Sequence, residues 1–295
     1  MSTHTTAALD ATTSAETTGQ AHPGQTDTGQ ENAVSEPSSR TRRHTLASLP
    51  LWRLVMVELR KTFDTRSGRW LLASLGGAAL LTTGAIIAWA PAEQLAYSEF
   101  TLAIGVPMTI ILPIIAVLSV TSEWSQRSGL ATFTLVPHRG RVLLAKAIGA
   151  VLVTVPATAA AFGVGALGNL AGAALADVPV VWDQSAADVG YFALGQTLLL
   201  LVGFVLGALI RNSSGAIVAY MLYGFVAPGL LAFLAFSQDW FADARPWLDA
   251  KYNQDALLRG QLAGDGWSHL AVTSLVWLVV PMTVAVVNVL RSEVK

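Results

Sequence analysis

Six stretches of the chain run for about 20 residues without a charged side chain: 70–90, 102–121, 147–168, 189–210, 215–236 and 268–290. A helix needs about 20 apolar residues to cross ~30 Å of hydrocarbon. Backbone polar groups in lipid must bond within their own segment, so each run is predicted to be a helix. The expected fold class is therefore an all-α polytopic membrane protein with six transmembrane helices. Composition agrees: 13% of the 295 residues are charged, about half the share in soluble domains. Of the 37 charges, 15 fall in residues 1–69, which leaves the remainder more apolar still. Lys146, just before the third run, is expected to snorkel toward the interface.

Residues 1–44 are Thr, Ser, Gly, Gln, Glu and Ala with almost no larger aliphatics. Such a segment cannot bury enough apolar surface to offset the entropy of ordering, and it is expected to be a disordered cytoplasmic tail. Residues 45–295 then form the six-span domain. The start of the chain lacks the basic region, apolar stretch and small-residue cleavage site of a signal peptide, so the first membrane helix is expected to direct insertion.

Orientation follows from Lys and Arg, which gather on the cytoplasmic side. With the N-terminus inside, 15 of the 18 basic residues are inside, among them Arg60, Lys61, Arg127, Arg139, Arg141 and Arg211. The connections 91–101 and 176–188 contain no Lys or Arg. Both termini are thus expected in the cytoplasm, in the plasma membrane. Arg245, Lys251 and Arg259 share the 237–267 connection with five Asp. Its aromatics (Trp240, Phe241, Trp247, Tyr252 and Trp267) favour the outer interface, where it is expected to fold back as a cap or gate.

Several chemistries are excluded. Zero cysteines rule out disulfides, thiol catalysis and iron–sulfur clusters. A net charge of −1 offers no field for nucleic acid. No Gly-Lys dipeptide occurs, so the chain has no phosphate loop of its own. His269, the one histidine near a span, has no partner for a metalloprotease helix. No span centre carries an ionisable residue to take up a proton; Gln196, Asn169 and Asn288 are the strongest polar groups there. No catalytic, metal or cofactor-binding residues are expected, and the chain is read as a non-enzyme. Sodium held by carbonyls at broken helices stays open.

Two segments outside the spans are informative. In 51–64, Leu51, Val55, Leu59 and Phe63 recur at fourfold spacing, with Arg53, Arg60, Lys61 and Asp64 on another face. This predicts an amphipathic helix in the inner interface, its apolar side in lipid. In 121–142, Thr121 or Ser122 caps a helix with Glu123 in its first turn. Pro137–Gly140 then makes a turn into Arg139 and Arg141. A helix built into so short a connection points to a docking surface.

These residues resemble a known family. Glu58-Leu59-Arg60-Lys61 with Thr65-Arg66-Ser67 before the first span is similar to type-2 ATP-binding-cassette (ABC) exporter permeases. So is Ser122-Glu123, followed by Arg127, Gly129 and Thr132, Leu135-x-Pro137, and Arg139-Gly140-Arg141-Val142-Leu143 with Lys146. The family often has Gly-Thr after its basic residue, whereas Gly129 is followed here by Leu130. The resemblance implies the membrane half of an exporter that pairs with a second permease copy and two separate ATPase subunits. ATP would be bound by those partners, leaving no cofactor in this chain. It further implies that Glu123, Arg127, Gly129, Thr132, Arg139 and Arg141 belong to a coupling region on the ATPase. Glu58, Arg60 and Lys61 would lie on the interfacial helix beside it. Uncharged span interiors fit a hydrophobic or amphiphilic substrate.

The competing readings are a six-span scaffold or anchor, and a gradient-driven secondary transporter. For repacking between two states, Pro107, Pro113, Pro156, Pro228 and Pro281 can each kink a span. Gly168/Gly172 and Gly203/Gly207 have the spacing for close helix contact.

Overall fold

The computed structural model describes residues 50–125 and 139–291. The tail and residues 126–138 lie outside the described residues. Thr121, Ser122 and Glu123, expected to cap and open a separate short helix, instead continue the span, because no Pro or Gly follows Pro113 before Gly129; Arg139 and Gly140, expected in a turn, already belong to the next helix. Within them the protein is helical; an isolated bridge pairs Ala96 with Val181. Helix α1 covers Leu51–Asp64, α2 Arg66–Trp89, α3 Tyr97–Ser125, α4 Arg139–Ala176 and α5 Ala186–Ile210. Helix α6 runs Ser213–Ser237 through a π turn at Leu222–Val226. Two short helices follow, α7 (Asp239–Leu248) and α8 (Ala250–Leu258). Helix α9 begins at Gly266, passes a π turn at Leu275–Val279 and ends at Arg291. Six of these (α2, α3, α4, α5, α6 and α9) are long and apolar enough to cross a membrane, one for each apolar run.

Alternation of the six long helices sorts the connections to two ends of the bundle. One end, called the basic end here, gathers α1, the 126–138 connection and the α5–α6 turn. The opposite end carries the 90–96 and 177–185 connections and the α7–α8 hairpin. Helix α4 has 38 residues, about 57 Å at 1.5 Å per residue, and so overshoots ~30 Å of hydrocarbon.

Helix α5 is the central element, touching α3, α4, α6, α8 and α9. Phe192, Gln196, Leu200, Phe204 and Ala208 are all buried, as expected of a helix apolar all round. Ile104, Met108 and Leu112 of α3 and Leu143, Ala150 and Val153 of α4 complete the core. The spacing of small residues expected for close contact is used. A Cβ at Gly203 would stand 2.7 Å from the Pro113 carbonyl oxygen, and one at Gly207 2.5 Å from Val120 Cγ1. Gly168 and Gly172 admit the Phe100 ring in the same way.

The prolines act in two ways. Pro107, Pro113 and Pro156 lie inside continuous helices. Pro113 has no N–H for the Thr109 carbonyl, one turn earlier, and the Tyr220 hydroxyl of α6 donates to that oxygen instead. Pro228 and Pro281 each follow a π turn that contains the residue four places before them, Gly224 and Trp277. A proline ring clashes with that carbonyl in α geometry, and the wider π turn removes the clash.

Candidate functional site

At the basic end, α1 packs along the start of α4. Val55 is buried and Leu59 joins the main core, so part of the stripe expected to face lipid faces α4 instead. Trp52, Met56, Val57 and Phe63 are the exposed apolar side chains of α1. Between the helices, Lys146 Nζ lies 2.7 Å from Glu58 Oε2, with the lysine side chain 2% exposed. This corrects the snorkelling expected of Lys146. The helical register places it on the inner face of α4, where Glu58 is within reach and water is not. An ion pair this buried, made with one partner on each helix, fixes their register.

An elbow joins α1 to α2. Thr65 leaves the helix in an extended conformation, and its hydroxyl accepts from the Gly68 N–H at 3.2 Å. A Cβ on Gly68 would overlap the Thr62 carbonyl oxygen at 1.9 Å, so only glycine permits so tight a return. A small cleft of about 80 Å³ lies where the elbow meets α3, lined by Lys61, Thr62, Thr65, Ser119 and Ser122 among others. Arg60 is exposed on α1. Glu123 is in the last turn of α3, Arg139 is the first residue of α4, and Arg141 follows, half-buried. Arg127, Gly129 and Thr132 lie outside the described residues. The structure thus brings Glu58 and Lys61 to one cleft beside the end of α3, next to the Glu58–Lys146 clamp, with Glu123 and Arg139 bracketing the connection between α3 and α4. On the same side, Arg211 adopts the left-handed conformation, Asn212 caps α6, and the Thr121 and Ser213 hydroxyls meet at 2.7 Å.

The opposite end is more built than the sequence conveyed. Tyr97 N–H and Asn169 Nδ2 both donate to the Val181 carbonyl, at 3.2 and 2.9 Å. Asp183 accepts from the Ser98 N–H at 2.9 Å. Ser185 and Asp188 form a capping box at the start of α5. Asn169 therefore holds chain segments together, the ordinary role of a lone amide in a membrane helix.

The 237–267 segment does fold back, as two helices packed on the bundle. Asp249 starts α8 by accepting from the Tyr252 N–H at 3.0 Å and from Arg245 Nε at 3.1 Å. Asn253, buried, donates to the Pro246 carbonyl at 2.7 Å and to the Thr273 hydroxyl at 3.2 Å. Both π turns contribute. The Tyr223 hydroxyl donates to Gln254 Oε1 at 2.8 Å, and Trp277 Nε1 to the Leu248 carbonyl at 3.0 Å. Leu258 closes on Gly195, nine residues into α5, which is about 14 Å along that helix. His269 stands edge-on to the Trp247 ring at 4.3 Å.

Between this hairpin and the spans lies a cavity of about 740 Å³, within the range of small-molecule sites. Ile86, Leu102, Val106, Phe192, Phe225 and Leu258 give it apolar walls. Glu99, Gln261 and Arg259 lie on its exposed side, with the paired Lys251 and Asp255. Gln196 is on the inner wall, fully buried. Its Nε2 donates to the Gly105 carbonyl at 3.3 Å, while its Oε1 has no donor. A buried acceptor left without a partner costs about 1–3 kcal/mol, so it calls for an explanation. Sequence reasoning found Gln196 but missed Glu99, Lys251, Asp255 and Arg259 as cavity residues. The available signals were the i, i+4 pair of Lys251 and Asp255 and the polar tips of Tyr223 and Trp277, which need partners inside a membrane.

Comparison with protein-family models gives no match, and comparison with curated proteins gives none.

Proposed function

We propose that the chain is the membrane-spanning permease subunit of an ATP-driven transporter. Its coupling region would be the 122–141 segment, and its energy would come from a separate ABC ATPase. In this reading it is an exporter of a hydrophobic or amphiphilic substrate, paired with a second permease copy in the plasma membrane. The basic end is cytoplasmic.

The observation that carries the reading is the clamp. The connection from Glu123 to Arg139 enters α4, a helix of 38 residues that runs to the opposite end. Glu58 ties α1 to α4 two turns beyond Arg139. A load on the 126–138 connection would therefore move α1 and α4 together, as a lever. The π turns of α6 and α9 are local departures from α geometry where spans can repack at low cost. ATP-dependent binding at the basic end would shift the balance between two packings by its different affinity for each.

The test is a search for an ABC ATPase reading frame beside the chain's own, then co-expression of the two and co-purification. Wild type is expected to hold the ATPase, and Glu123→Lys with Arg127→Glu to release it while the permease still folds. Equal recovery of the ATPase with both forms would refute the coupling assignment.

A further inference from the structure

We propose that the cavity under the α7–α8 hairpin is a binding site for a single-chain amphiphile. Its head is neutral overall, carries charges of both signs and donates hydrogen bonds. Calling that ligand the transported substrate rests on the permease reading; its binding does not.

Three observations define the ligand. The walls contributed by Leu102, Val106, Phe192 and Phe225 accept an alkyl chain and offer it no polar partner. The lining includes two acids and two bases, Glu99, Asp255, Lys251 and Arg259, so its formal charge is zero. A net-charged head gains nothing from such a balanced rim, whereas a zwitterion matches both signs. Lys251 and Asp255 satisfy each other, but neither Glu99 nor Arg259 has an ion-pair partner among the described residues. Finally, Gln196 belongs to the lining, and its Oε1 is a buried acceptor without a donor that a turn of the side chain toward the cavity would present to a ligand. The group that completes it must bring an N–H or O–H. An ammonium or hydroxyl does so; a quaternary ammonium does not.

The absence of native cysteine permits a local assay. The full chain in nanodiscs carries one introduced cysteine. The first is Ala103→Cys on the cavity wall. The second is Ala160→Cys, in an apolar groove between α2, α3 and α4. Maleimide labelling is timed with dodecylphosphoethanolamine, dodecylphosphocholine, dodecyltrimethylammonium or dodecyl sulfate. Dodecylphosphoethanolamine is expected to slow labelling at position 103 about fivefold more than its choline counterpart, the size of one added hydrogen bond. The two singly charged compounds should protect least, and position 160 should show no preference. Gln196→Met is expected to abolish the difference between the ethanolamine and choline heads. Arg259→Glu, on the exposed rim, leaves the core untouched and should turn the preference toward dodecyltrimethylammonium. Equal protection at both cysteines would mean simple partition into the bilayer and would overturn the site. So would a head preference that survives Gln196→Met, or no change of preference in Arg259→Glu. No ATPase is present in this assay, so its failure leaves the co-purification result standing, and the reverse.

Discussion

Lys146→Met is expected to lose about 3 kcal/mol of stability, read as a lower apparent Tm of the purified protein in detergent. The variant leaves the Glu58 carboxylate between α1 and α4 with no cation at 2.7 Å. Removing one partner of a buried pair costs about 3–5 kcal/mol, because the remaining charge is desolvated and uncompensated. Glu58 retains some contact with water, its side chain being 15% exposed, which places the expected loss at the lower end. Glu58→Gln combined with Lys146→Met removes the uncompensated carboxylate and is expected to be more stable than Lys146→Met alone. If the double variant is as unstable as the single one, the pair does not hold α1 in place and the clamp is wrong.

Gly203→Leu is the second large effect, and the mechanism is different. The obstacle is backbone: a Cβ at this position would meet the Pro113 carbonyl oxygen at 2.7 Å, Pro113 Cβ at 2.8 Å and Pro113 Cα at 2.9 Å. No rotamer change relieves these contacts, so α3 and α5 must separate. Even Gly203→Ala should cost about 1–3 kcal/mol, the usual range for overpacking. With leucine, separation would also pull α3 from α6, because Tyr220 reaches the Thr109 carbonyl freed by Pro113. The expected result is loss of the monodisperse peak on size-exclusion chromatography. Gly76→Leu is the control, since nothing lies within 4 Å of a Cβ there. A Gly203→Leu protein that elutes and melts like the Gly76→Leu control would contradict the close α3–α5 contact.

The spans were legible because lipid imposes a length and a composition that few other environments demand. Residues 189–210 and 215–236 fall within α5 and α6 with little to spare. The start of α4 was not legible in the same way. Arg139, Arg141 and Lys146 are polar by composition, yet they continue the helix, and Lys146 turns inward because Glu58 waits on another segment. Pairings made across 88 residues leave no local periodicity. The 237–267 segment was legible as aromatic and interfacial but not as two helices. Its order comes from distant polar tips, Tyr223 and Trp277, that need acceptors in a dry environment. The candidate cavity shares that origin: Gln196 stood out as a lone amide, but its neighbours Glu99 and Arg259 are gathered only by the fold.

The proposed permease role requires that an ABC ATPase respond to the chain. The most direct measurement is ATP hydrolysis by the proposed ABC ATPase partner in nanodiscs, with this chain present and absent. The chain alone should hydrolyse no ATP. Adding it should change the ATPase rate several-fold, and Glu123→Lys with Arg127→Glu should erase that change. Hydrolysis that is the same with and without the chain, together with transport that runs on an ion gradient in ATPase-free vesicles, would contradict the account.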